Sequence, residues 1–151
     1  MNIIKNIKLG IIMENNTKQI ALSIEQMKHL KELGCDTSLA SMHYIYMPTV
    51  DSIINGTEEV EVEPDLFTNC PNMKHEHPAF TLQDILEVLE KTRYESIEFP
   101  MIMLDYNIMN GFWYITLRNV DGFEAPSYKE KSVLDAAYKM LYWALENKCI
   151  K

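Results

Sequence analysis

The stretch from Ile102 to Leu117 constrains this chain more than any other. Asn110-Gly111 divides it into two apolar-rich runs, and Asn-Gly is the dipeptide that accepts the positive φ angles of a type I′ two-residue hairpin turn. Counting outward from such a turn sets Met109 opposite Phe112, Ile108 opposite Trp113, Tyr106 opposite Ile115, Leu104 opposite Leu117 and Ile102 opposite Asn119. Side chains alternate across a strand, so Ile102, Leu104, Tyr106, Ile108, Trp113, Ile115 and Leu117 share one face. The other face carries Met101, Met103, Asp105, Asn107 and Met109 against Phe112, Tyr114, Thr116 and Arg118. A two-stranded ribbon with one side this apolar is not stable alone and requires other elements against it.

Three helices supply them. Ser23 with Gln26 forms a capping box, Leu22 with Met27 a hydrophobic staple outside it, and Gly34 stands where a left-handed residue stops the helix. Thr81 with Asp84, flanked by Phe80 and Ile85, repeats the start signal, and Leu82, Ile85, Leu86 and Leu89 make one buried face. Ser132 and Asp135 open the last helix, whose polar stripe is confined to Asp135, Lys139, Tyr142 and Glu146. A helix apolar over so much of its circumference belongs deep in a core, across the apolar face of the hairpin. The expected class is α+β, an antiparallel sheet built on a central hairpin at about 102–119 with helices at about 24–33, 82–92 and 133–148 packed mainly on one face.

Residues 1–20 read as an N-terminal extension of uncertain structure, with Met13 a candidate alternative start, and 21–151 as a single α+β domain. Met42 to Met47 alternates as a strand ended by Pro48. Within an acidic loop at 49–78, Asn55-Gly56 would turn a second, smaller hairpin between Val50–Ile54 and Thr57–Val62, pairing Ile53 with Glu58 and Asp51 with Val60. Pro64, Pro71 and Pro78 punctuate that loop.

Charge excludes one class of function. The net charge is -8, and residues 49–80 hold seven acids against one Lys. Phosphate backbones are gripped by Lys and Arg displacing counterions, so direct nucleic-acid binding is not expected. No apolar run approaches the ~20 residues of a membrane span, and Met1–Ile12 is broken by Lys5, Asn6 and Lys8 rather than forming a secretory h-region. Cys35, Cys70 and Cys149 are an odd, sparse set, pointing to free thiols and a cytoplasmic setting.

Recognisable chemistry is absent from the motifs. Five glycines are too few and too scattered for a phosphate-cradling loop, and no Gly-x-Ser-x-Gly elbow occurs. No cofactor and no catalytic residue are therefore assigned. Cys70, His75 and His77 have ligand types suited to zinc, against the alternative of a polar loop with incidental histidines. Glu58, Glu59, Glu61, Glu63 and Asp65, interleaved with Val60 and Val62, are either a solvated edge strand whose charges deter aggregation or a docking surface for a basic partner. On the second face of the hairpin, Met103 and Tyr114, with Met101, Met109 and Phe112, are covered by another segment or form an adaptable contact patch. His43, Tyr44 and Tyr46 line a ligand pocket or belong to the core.

The segments Leu22-Ser23-Ile24-Glu25-Gln26-Met27 to Leu33-Gly34, Asp36-Thr37-Ser38, Pro78-Ala79-Phe80-Thr81-Leu82-Gln83-Asp84-Ile85 and Leu134-Asp135-Ala136-Ala137-Tyr138-Lys139-Met140-Leu141 resemble a family of small uncharacterised proteins. That family is carried by prophages and mobile elements of gut-dwelling bacteria, and the likeness runs from about Leu22 to the C-terminus. The extension before Met13 departs from it. The resemblance implies a mobile-element accessory protein that binds a host or phage protein and inhibits a host system. The matching segments are helix starts and core faces, so no catalytic residue carries over. Two other classes stay open: a protein sequestering a small molecule or nucleotide, and an enzyme or metal protein whose site assembles only on folding.

Overall fold

A computed structural model describes residues 19–45, 54–55, 65–67, 76–94, 97–122 and 125–150. In chain order these form α1 (Ile24–Glu32), a 3₁₀ turn (Thr37–Leu39), β1 (Met42–Ile45), β2 (Asp65–Phe67), β3 (Glu76–Ala79), α2 (Leu82–Leu89), β4 (Arg93–Tyr94), β5 (Ile97–Glu98), β6 (Met101–Asn107), β7 (Phe112–Arg118), β8 (Tyr128–Glu130) and α3 (Val133–Glu146). All pairing is antiparallel, in sheets ordered β2-β1-β3, β4-β5 and β6-β7-β8. The α+β class holds, with α3 lying across β7 and β8 and α2 packed against α3.

The caps set the helix ends. Ser23 N–H donates to Gln26 Oε1 at 3.0 Å while Gln26 N–H donates to Ser23 Oγ at 3.2 Å, so two otherwise orphaned donors are satisfied reciprocally. Thr81 and Asp84 do the same for α2. Asp84 goes further: it is 6% exposed, and its Oδ2 accepts from Thr81 N–H (2.8 Å), Thr81 Oγ1 (3.0 Å), Ser41 Oγ (2.8 Å) and Ser41 N–H (3.3 Å). That carboxylate pins the approach to β1 onto the start of α2. The helix α2 ends at Leu89, earlier than the periodicity to residue 92 predicts, because Lys91 and Thr92 N–H turn back onto Val88 and Leu89 carbonyls.

Both α1 and α3 end in Schellman motifs. After α1, Gly34 (φ 88°) donates to Lys31 O and Cys35 N–H to Leu30 O. After α3, Lys148 (φ 55°) donates to Leu145 O and Cys149 N–H to Ala144 O. In each motif the residue after the left-handed position tucks back on the last turn. That position is a cysteine both times, and both are buried free thiols.

The hairpin differs from the expected register by two residues. Asn107 pairs with Phe112, Tyr106 with Trp113, Leu104 with Ile115 and Ile102 with Leu117. Residues 108–111 thus form a four-residue loop instead of a two-residue I′ turn. The Asn107 carbonyl accepts Gly111 N–H at 2.8 Å and its side chain accepts Met109 N–H at 2.9 Å. Gly111 still takes a left-handed φ of 69°, but Asn110 does not, so a I′ geometry is not formed. An even shift preserves the faces. Ile115 and Leu117 are fully buried, and Ile102, Leu104 and Trp113 pack against the same core as Leu134, Met140 and Leu141. Two residues expected on that face are not buried: Ile108 sits in the loop at 84% exposure, and Tyr106, near the end of β6, is 50% exposed.

The second small hairpin around Asn55-Gly56 lies outside the described residues except for Ile54 and Asn55, which are helical. The N-terminal extension before residue 19 likewise lies outside them.

Candidate functional site

Two regions carry unusual features, and the first is the outer side and edge of the hairpin. Met103 stands opposite Thr116 and Tyr114 opposite Asp105, as the alternation places them, on the side away from α3. Lys129 of β8 sits over the Phe112 ring, 5.4 Å from its centroid, and Asn110 Nδ2 donates to Tyr114 Oη at 2.9 Å. Met103, Phe112 and Tyr114 are half-buried, whereas Met101 is 40% and Met109 95% exposed. Among the described residues no strand pairs with the outer edge of β6. Tyr106, half exposed, leans on Trp113 with ring centroids 5.0 Å apart, so apolar surface continues around the tip.

The other sequence candidates do not gather there. Asp65 lies on β2 opposite Ile45, in the sheet formed with β1 and β3 rather than with the hairpin. Glu58, Glu59, Glu61 and Glu63 lie outside the described residues. So do Cys70 and His75, while His77 is on β3 opposite Tyr44. No group of three or more His, Cys, Asp or Glu among the described residues is placed to hold a metal ion. Tyr44 belongs to the core: it is 7% exposed and its hydroxyl donates to Leu22 O at 3.0 Å. Burial, with Glu25 nearby, pushes its phenol pKa up. Tyr46 lies outside the described residues.

The second region is a pair of clefts at the C-terminal ends of the helices, sharing Lys91. One, of about 420 Å³, lies by the α1 and α3 Schellman turns and includes Cys35, Asp36 and Lys148. The other, of about 370 Å³, is formed by Lys91, Thr92, Arg93, Phe99, Pro100 and Cys149, with exposed Glu90 also lining it. Backbone bonds hold this second cleft together: Arg93 N–H donates to Cys149 O at 2.6 Å and Phe99 N–H to Thr92 O at 3.4 Å. Thr92 is 1% exposed, and its Oγ1 has no hydrogen-bond partner.

Neither cysteine is poised for nucleophilic work. Burial, assisted by Asp36, pushes the Cys35 thiol up to about 11, and burial raises Cys149 as well. A thiol so shifted is protonated at neutral pH and is a poor nucleophile. Asp36 moves the opposite way: the Ser38 hydroxyl and amide hold its carboxyl below the usual range, with a smaller contribution from Lys91. These shifts describe a structural turn, with Asp36 capping the 3₁₀ segment.

Sequence reading missed the Thr92 cleft. Thr92 follows a helix and precedes a two-residue strand with no motif around it. No protein-family model, curated protein or solved structure matches this chain. Among the described residues, no helix is long and apolar enough to cross a membrane.

Proposed function

We propose that this chain is a mobile-element accessory protein that acts by binding a host or phage protein along the edge of β6, with which no strand pairs among the described residues, and the hairpin tip. The observation carrying this reading is the seven-residue edge strand Met101–Asn107 leading to a tip where Ile108 is 84% and Met109 95% exposed. Protein edges are ordinarily blunted by lysines, prolines or bulges. Here the strand contains no Lys and no Pro, and Asp105 is its only charge. A partner's extended segment would add a strand, drawing affinity from main-chain hydrogen bonds and selectivity from alternate side chains. The net charge of -8 and the exposed Asp105 favour a segment bearing basic residues. The family resemblance of the helix starts supports the mobile-element setting.

The test compares the full wild-type chain, immobilised, with Met101→Lys/Tyr106→Lys. These residues are 40% and 50% exposed, so the substitutions leave the core intact. Lysate from a gut bacterium is passed over both at low and high salt. The expected result is a protein retained by wild type at low salt, released at high salt and lost with the double variant. Its purified complex should slow amide exchange along 101–107. Equal retention by both chains, or exchange protection elsewhere, overturns the proposal.

A further inference from the structure

We infer that the cleft beside the α1 and α3 Schellman turns is a binding site for a medium-chain alkyl carboxylate, its chain against an aliphatic floor and its headgroup on Lys148 and Lys91. The cleft holds about 420 Å³, within the roughly 300 to 1,000 Å³ of small-molecule sites. Its apolar lining is Leu33, Leu39, Val88, Leu145 and Ile150, drawn from the C-terminal ends of the three helices and from the 3₁₀ turn. No aromatic ring is among the described residues that line it. Branched aliphatic walls with no flat ring to stack on suit a flexible alkyl chain better than an aromatic body.

The charges at the rim decide the headgroup. Lys91 and Lys148 bring two ammonium groups, both on exposed residues, against the single carboxylate of Asp36, in a chain of net charge -8. Asp36 is already engaged: its Oδ1 accepts from the Ser38 hydroxyl at 2.6 Å and from Ser38 N–H at 3.1 Å, and Lys91 lies near enough to favour its charged form. The Cys35 thiol, pushed up to about 11, adds no charge at neutral pH. The rim is therefore positive by one charge above an apolar floor, which fits an anion carrying an alkyl chain.

Lys148 supplies a second, independent observation. Two left-handed residues line this cleft, Gly34 at φ 88° and Lys148 at φ 55°. Glycine takes that conformation without cost, whereas a residue with a Cβ is strained there. The competing account is that a cation after a helix compensates its carbonyls and needs no ligand. An exposed charge at that place contributes less than the strain costs, and Lys91 shows that a cation can follow a helix without a left-handed φ. An ammonium held at a position suited to glycine, on the rim of an aliphatic cleft, is what a carboxylate ligand requires.

The experiment is a ¹⁵N–¹H titration of the full chain with octanoate, octylammonium and acetate. The expected result is saturable shifts at the Gly34, Cys35, Val88, Lys91 and Lys148 amides with octanoate. Octylammonium has the same chain with the opposite charge and acetate the headgroup without the chain, and each should bind at least about tenfold more weakly. Lys148→Gly and Lys91→Met should each weaken octanoate binding by about fivefold, the upper end for an exposed charge pair. Because Lys148→Gly also relieves the strained φ, its unfolding midpoint should not fall, which excludes misfolding as the cause; Lys91→Met tests the second cation at a residue outside the helices. Absence of saturable shifts at those amides up to about 10 mM octanoate, weaker than a millimolar site, overturns the inference. So does octylammonium binding as tightly as octanoate, or undiminished octanoate binding by both variants. This site stands independently of the β6 edge, since neither Met101 nor Tyr106 lines it.

Discussion

Replacing Thr92 by Val swaps a hydroxyl for a methyl of nearly the same volume, in a residue that is β-branched before and after. The native residue is 1% exposed, so neither side chain gains water. Its two backbone bonds, to Leu89 O and from Phe99 N–H, do not involve the side chain and persist. What changes is the unmatched Oγ1, whose burial without a partner costs about 1 to 3 kcal/mol on mutational scales. Taking ~1.5 kcal/mol, and a slope of roughly 2 to 4 °C per kcal/mol for a chain of this size, the melting temperature should rise by about 3 to 6 °C. Thermal unfolding followed by circular dichroism checks this directly, and urea unfolding should show a higher midpoint with an unchanged m-value, establishing that only stability moved. Protein is refolded from denaturant and dialysed first, because any ligand carried through purification would stabilise wild type and narrow the gap. Thr92→Ser serves as the control: it keeps the hydroxyl, removes the methyl and should destabilise. An unchanged or lower midpoint for Thr92→Val would refute the reasoning, since the hydroxyl would then be satisfied in solution.

Three further outcomes follow from the geometry. Asp84→Ala removes four hydrogen bonds to one carboxylate oxygen, including half of the α2 capping box, and should cost about 2 to 4 kcal/mol in urea unfolding. Lys148→Gly relieves a left-handed non-glycine residue at φ 55° in the α3 Schellman motif and should raise stability by about 1 kcal/mol in the same assay. The Cys35 thiol, raised in the folded chain from 9.0 to about 11, contributes stability that is fully present below pH 9 and is lost as pH rises through about 11. Unfolding midpoints measured from pH 8 to about 11 should therefore fall more steeply for wild type than for Cys35→Ala.

Much of the fold was written locally. Ser23 with Gln26, Thr81 with Asp84, and Gly34 each use a side chain or a backbone freedom acting within a few residues, and each occurs as read. The same is true of the polar stripe on α3, where Lys139, Tyr142 and Glu146 are exposed and Leu134, Met140 and Leu141 buried. The hairpin shows where locality stops. Asn110-Gly111 favours a I′ turn in isolation, but Asn107, three residues earlier, offers both a carbonyl and a carboxamide to the loop amides. The longer loop that uses them wins. Because the displacement is two residues, every apolar side chain within the strands keeps its side. The hydrophobic pattern alone could not distinguish the two registers.

Neither candidate site could be read that way, and for different reasons. The β6 edge depends on what does not pair with it, a property of the whole sheet rather than of Met101–Asn107. Asp65, the one described residue of the acidic run, joins β1 in a sheet separate from the hairpin. The Thr92 cleft depends on a hydroxyl being left over after its surroundings have been paired. Thr92 sits in an ordinary segment, Lys-Thr-Arg, where a threonine normally finds a neighbouring carbonyl or solvent. In the folded chain it is buried without an acceptor for its hydroxyl, beside the Arg93 N–H to Cys149 O bond. A chain does not need such a group for folding, since valine would fill the same space. The hydroxyl is therefore the feature of this region that folding alone does not account for.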